Sequence, residues 1–140
     1  MHKFDVAKET ENLIKWIRDW FDGNGRGCNA VLGISGGKDS TIAAALCVRA
    51  LGVDRVIGVM LPDDAQLDII DSIEVCKLLG IKNYIINIRP ALIASFKQLI
   101  DCNIEITEQC RQNIAPRERT KMIRAICQCN NGRMINTCNY

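Results

Sequence analysis

The chain predicts an α/β fold: a parallel sheet with helices on both faces. Two patterns carry that expectation. Short apolar runs rich in Val, Ile and Leu alternate along the chain with amphipathic stretches of helical period, and glycines or prolines punctuate the boundaries. Length adds a bound, because 140 residues, 48% of them hydrophobic, can bury one core and hardly two. Residues 1–140 are therefore expected to form a single domain.

The first element is a helix from about Asp5 to Asp22, in which Leu13, Trp16, Ile17, Trp20 and Phe21 recur at three- and four-residue spacings between charged residues. Gly23 to Gly27 is a breaker cluster and reads as a loop. Ala30-Val31-Leu32-Gly33-Ile34 is apolar throughout, as a strand buried on both faces must be. A glycine turn from Ser35 to Ser40 follows, then an Ala-rich helix from Thr41 to Leu51 ended by Gly52. Val56 to Leu61 is a second strand stopped by Pro62, and Gln66 to Leu79 a second helix of the repeating unit, with Gly80 as its cap. Tyr84 to Ile88 reads as a third strand. Pro90 suits the first turn of a helix reaching about Ile100, since its missing N–H has no helical partner there. Asn113 can cap a last helix through Cys129, with Pro116 in its first turn, and Arg133 to Thr137 reads as a fourth strand.

Charge narrows the partners. Eighteen Lys and Arg against 16 Asp and Glu give a net charge of +2, too small to imply a nucleic-acid or membrane footprint. No uncharged run approaches the roughly 18 residues that span a bilayer, and the polar start Met1-His2-Lys3 does not lead into a signal peptide, so a cytoplasmic protein is expected. The eight cysteines fall mostly inside apolar segments and read as small buried hydrophobes. Cys127 and Cys129 form a C-x-C within a helix, where the two side chains diverge and make poor joint metal ligands.

In an open parallel sheet, ligands gather at the carboxyl ends of the strands, so the turn after the first strand is the informative one. Ser35-Gly36-Gly37-Lys38-Asp39-Ser40 places two glycines where backbone N–H groups can surround a phosphate. A Walker A loop would need glycine at Leu32 and Ser or Thr at Asp39, and the dinucleotide glycine fingerprint does not fit either. Ser35 and Ser40 can donate to phosphate oxygens, Asp39 could ligate Mg²⁺, and Lys38 is either a phosphate contact or a solvated side chain.

The signature S-G-G-x-D-S resembles the pyrophosphate loop of the ATP pyrophosphatase superfamily, whose members split ATP between its α and β phosphates. The second half of the chain resembles one branch. Asn113-x-x-x-Arg117-x-Arg119, a helix, and then Asn131 to Asn139 look like the pattern of ammonia-dependent NAD synthetases, and Leu61-Pro62, Gln66 and the stretch from Asp68 to Asp71 resemble that family's second turn. The resemblance implies an adenine-nucleotide alpha-hydrolase-like, Rossmann-like sheet. It implies ATP contacts at Gly33, Ile34, Ser35, Gly36, Gly37, Lys38, Asp39, Ser40, Gln66 and Thr137, with Mg²⁺ on Asp39. Deamido-NAD would be held by Asn113 and Arg117, four apart on one helix face, and by Phe21, which read by itself is a core aromatic. Arg119 points elsewhere on that reading and would pair structurally.

The implied reaction is amidation of deamido-NAD to NAD with ATP and ammonia, by positioning and charge neutralisation rather than a covalent nucleophile. The resemblance also implies that the domain is partial. Family members continue beyond Tyr140 and there supply a glutamate for Mg²⁺, further ATP contacts and much of a homodimer surface. Arg124 stands where the family commonly has tyrosine. The 140-residue chain is accordingly expected to show little or no turnover alone. Two rival expectations remain: a noncatalytic nucleotide-binding fragment, and a tRNA-modifying ATP pyrophosphatase, against which stand the lack of C-x-x-C and of a basic stripe for RNA.

Overall fold

Four strands, all parallel, run in the order β3-β2-β1-β4 in a computed structural model that describes residues 5–64 and 69–137. The chain lays down α1 (Val6–Asn24), β1 (Asn29–Gly33), α2 (Lys38–Leu51), β2 (Val56–Met60), α3 (Ile69–Leu79), β3 (Lys82–Ile85), α4 (Arg89–Asp101), α5 (Glu108–Cys129) and β4 (Gly132–Ile135). A single 3₁₀ turn, Val53–Arg55, leads into β2. Strands step outward from β1 to β3, and the chain then crosses back to place β4 on the other side of β1. The winding therefore changes direction at β1 and β4, where α/β sheets open a crevice at their carboxyl edge.

The pleat explains why the central strands are apolar on consecutive residues. Ala30, Leu32, Val56 and Met60 face a core shared with Phe21, Ala44, Cys47 and Cys76 of α1, α2 and α3, while Val31, Ile57 and Val59 face Ile126 and Cys127 of α5. Each large side chain so buried contributes about 1.5–3 kcal/mol. Two glycines set how near the second layer can come. A Cβ on Gly58 would stand 2.9 Å from the Cys76 sulfur, and one on Gly132 would stand 2.5 Å from Val31 Cγ2 and 3.2 Å from the Cys127 backbone. At Gly132 helix and strand meet with no room for a methyl.

Several boundaries differ from the sequence reading, each for a local reason. The Asp5 carboxylate accepts from the Lys8 N–H and starts α1, which runs on through Gly23 and Asn24 before Gly25 ends it. α2 begins at Lys38, so half of the expected turn is helix. β3 starts at Lys82 rather than Tyr84, because this outer strand pairs Lys82 and Asn83 with β2 while leaving their side chains in solvent. α5 starts at Glu108, capped by the Thr107 hydroxyl, which accepts from the Cys110 N–H at 3.2 Å. Pro116 accordingly lies inside the helix and Asn113 is not its cap. β4 runs from Gly132 to Ile135, one residue earlier than expected at its start and two at its end. Of the second repeating helix, only Ile69–Leu79 falls within the described residues.

Candidate nucleotide cleft at the carboxyl edge of the sheet

The turn after β1 is held by its own hydroxyls. Gly36 adopts φ +76°, a left-handed conformation that glycine takes without strain, and this reverses the chain between strand and helix. The Ser40 Oγ accepts from the Ser35 N–H at 3.3 Å and donates to the Gly37 carbonyl at 3.1 Å, and lies 3.2 Å from the Ser35 Oγ. The Ser35 hydroxyl in turn accepts from the Gly37 N–H at 3.3 Å, and Thr41 Oγ1 donates to the Gly37 carbonyl. Ser40 is 4% exposed, so it serves as the internal brace of the turn, whereas Ser35, Gly37, Lys38 and Asp39 stand in solvent. Lys38 and Asp39 open α2, whose first N–H groups have no intrahelical acceptor and give that end a partial positive charge.

Beside this turn lies a cleft of about 440 Å³. Its walls come from the end of β1 (Gly33, Ile34, Ser35), the end of β2 and the turn after it (Val59 to Pro62), α3 (Ile69, Ser72), α5 (Arg119, Ile123) and the segment after β4 (Thr137). Among the described residues apolar side chains dominate, hydroxyls stand at Ser35, Ser72 and Thr137, and Arg119 is the sole charge in the lining. That mixture suits a flat heteroaromatic base with a polar, anionic extension. Gly33 has a packing role here, since a Cβ on it would come within 3.2 Å of Ile123 Cδ1, the side chain that packs over the bare glycine at the strand end.

The cleft brings together Gly33, Ile34, Ser35 and Thr137 of the residues expected to hold ATP, with Gly36, Gly37, Lys38, Asp39 and Ser40 in the turn that adjoins it. Gln66 lies outside the described residues. Asn113 and Arg117 are elsewhere on α5. Arg117 is exposed in a separate shallow groove with Thr120, Lys121, Arg124 and Gln128, and Asn113, half-buried, lines neither cavity. Phe21 is 1% exposed, edge-on to Trp20 at 5.2 Å with Arg55 over its ring, and we assign it to the core. Arg119, expected to point away from Asn113 and Arg117 and to pair structurally, lines the cleft rather than their side of α5, and its Nε donates to the Leu61 carbonyl at 3.1 Å. The helical register could have shown this: Arg119 and Ile123 are one turn apart, and Ile123 is the apolar residue that must face the sheet.

Of the seven cysteines among the described residues, Cys28, Cys47, Cys76 and Cys127 are buried, and all seven are free thiols. Burial pushes the Cys47 thiol up from 9.0 to about 11. Burial also raises Cys127, against the pull of Arg133 and its own backbone, which favour the thiolate. Among the described residues no group of three His, Cys, Asp or Glu side chains could hold a metal ion, and no helix is long and apolar enough to cross a membrane.

A family model described as NAD synthase matches residues 9–140. The chain belongs to the NAD synthase family. It is 33% identical over 140 residues to the NH(3)-dependent NAD(+) synthetase of Thermococcus sibiricus, covering 99% of this chain and 53% of that protein. The corresponding enzyme of Thermotoga neapolitana is 41% identical over 90 residues, 62% of this chain and 30% of its own length. The chain thus spans at most about half the length of these relatives. Among solved structures, the NH3-dependent NAD synthetase of Campylobacter jejuni superposes with a TM-score of 0.86 at 30% identity, over 97% of this chain and 58% of its own. The NMN synthetase of Francisella tularensis does so with a TM-score of 0.85 at 27% identity, over 98% and 56%.

Proposed function

We propose that this NAD synthase family chain binds ATP in the cleft beside the Ser35–Ser40 turn and serves the ATP-dependent amidation of deamido-NAD to NAD. The observation that supports the reading is the braced glycine turn at the carboxyl edge of the sheet, opening beside a largely apolar cleft in a chain of this family. A carboxylate resists ammonia because its carbonyl carbon is already electron-rich. ATP removes that obstacle: a nicotinate carboxylate oxygen attacks the α phosphorus, the bond to the bridging oxygen breaks, and pyrophosphate leaves. Ammonia then adds to the acyl carbon, the C–O bond to AMP breaks, and the amide forms with loss of a proton.

The chain's own residues position and neutralise charge. The apolar walls accept adenine, and Ser35, the α2 N-terminus and Lys38 face the triphosphate. Among the described residues Asp39 belongs to no group of three possible ligands, so it would hold Mg²⁺ as one ligand, with phosphate and water oxygens completing the shell. Bound there, Mg²⁺ neutralises phosphate charge. Asn113 and Arg117 lie outside this cleft, on the α5 face where deamido-NAD would have to reach. We place the protein in the cytoplasm and, in the context of a full-length synthetase, in a homodimer.

A second reading is a noncatalytic nucleotide-binding chain. Calorimetry of the 140-residue chain with ATP·Mg²⁺ and with deamido-NAD, beside an assay for AMP, pyrophosphate and NAD, decides between them. Binding of both ATP and deamido-NAD, with or without NAD formation, supports the synthetase, and binding of ATP without deamido-NAD or turnover supports the second reading. AMP release with tRNA but not with deamido-NAD would point to a tRNA-modifying pyrophosphatase instead. No binding of ATP would sink all three.

A further inference from the structure

We infer that Arg119 is a phosphate contact of the cleft, reaching the nucleotide from α5 while the glycine turn reaches it from α2. This rests on the ATP-binding reading above and extends it to a residue outside the turn. Three features of the structure lead there. Arg119 lines the same cavity as Gly33, Ser35 and Thr137. Its Nε is engaged by the Leu61 carbonyl at 3.1 Å, which fixes the plane of the guanidinium and leaves its two terminal nitrogens for another acceptor. Among the described residues no carboxylate lines the cavity. Among the described residues Arg119 enters no ion pair, and the neighbouring Glu118 is paired with Lys121 at 2.7 Å.

Arg119, half-buried among Leu61, Ile123 and other apolar groups, loses hydration and gains no counter-charge from the described residues. An arriving phosphate supplies one, and the fork of donors matches two phosphate oxygens. Ile123 packs over the bare Gly33, and Arg119, one turn earlier on α5, lines the cleft beside it.

The ligand series adenosine, AMP, ADP and ATP, titrated calorimetrically into the 140-residue chain and its Arg119→Gln and Arg119→Lys variants, tests the assignment. The Gln variant is expected to lose about ten- to a hundredfold in ATP affinity with adenosine little changed, and the Lys variant to recover part of the loss. An equal loss for adenosine would mean that Arg119 acts through Leu61 or by stacking on the base, and no loss for ATP would dismiss it; either outcome overturns the inference. Should the Gln variant not fold, modification of the unaltered chain with phenylglyoxal gives the same answer. ATP should protect Arg119 and adenosine should not, and equal protection overturns it. Failure of the unaltered chain to bind ATP at all would instead reject the reading on which this rests.

Discussion

The turn after β1 keeps its shape through hydrogen bonds that span no more than five residues, whereas the α5 side of the cleft hangs on contacts between distant parts of the chain. Arg119 reaches the Leu61 carbonyl across 58 residues, Ile123 is seated against Gly33, and Gly132 against Val31. One side of the cleft is thus a local device and the other a product of tertiary packing. Damage to the packing should disturb α5 first and leave the turn's own bonds in place, while damage to the turn should spare the fold.

The most disruptive change expected on the α5 side is Gly132→Ala, because the added methyl would stand 2.5 Å from Val31 Cγ2 and 3.2 Å from the backbone of Cys127, which cannot rotate away. A loss of about 3 kcal/mol is expected in urea unfolding. A loss under about 0.5 kcal/mol would show that α5 is not seated as tightly as the contacts indicate.

The two faces of the sheet also differ in their buried thiols, and that sets a pH response. Cys47, on the α2 face, has its pKa raised from 9.0 to about 11 by burial, so the folded state holds its proton where the unfolded chain releases it. Below pH 9 both states are protonated and the thiol has no pH effect; between 9 and about 11 the unfolded state binds fewer protons, and stability falls as pH rises. The slope attributable to Cys47 approaches about 1.4 kcal/mol per pH unit, and comparison with Cys47→Ala isolates it. On the α5 face Arg133 counteracts the same effect at Cys127, so the Cys127→Ala comparison should show a smaller slope. Equal slopes would erase the distinction between the faces.

Within the turn, Ser40→Ala removes an acceptor from the Ser35 N–H and a donor from the Gly37 carbonyl in a site that is 4% exposed. A cost of about 2 kcal/mol is expected, with ATP affinity falling as well. Unchanged ATP affinity would mean that the brace does not set the geometry the ligand meets.

The same division between local and distant contacts explains what could be read from the sequence. The apolar cores of β1 and β2 and the caps at Gly52 and Gly80 follow from neighbouring residues alone and stand where they were expected, and the glycine turn is also there, shortened because α2 takes in Lys38 to Ser40. The start of α5 did not, because Thr107 with Glu108 in the first turn is a modest cap signal, and Pro116 suggested a helix start that the structure does not have. β3 was shifted because its first residues, Lys82 and Asn83, carry no apolar pattern and are placed by pairing with β2. Arg119 escaped for a further reason. Its environment is made by Leu61, Gly33 and Thr137, and no short stretch of chain contains that information.

The smallest expected effect on stability gives the cleanest separation of turn from fold. Gly36 sits at φ +76° and Gly27, in the loop before β1, at φ +74°, so alanine meets the same backbone strain at both, about 1–2 kcal/mol. A Cβ on Gly27 would have nothing within 4 Å, which makes it a control for strain alone. Gly27→Ala should lower stability by that amount and leave ATP affinity unchanged, whereas Gly36→Ala should cost at least as much stability and also weaken ATP, because relaxing the strained residue swings the N–H groups of the turn. Equal ATP affinities in the two variants would show that the turn does not touch the nucleotide, and the local side of the cleft would then be a connection between strand and helix and nothing more.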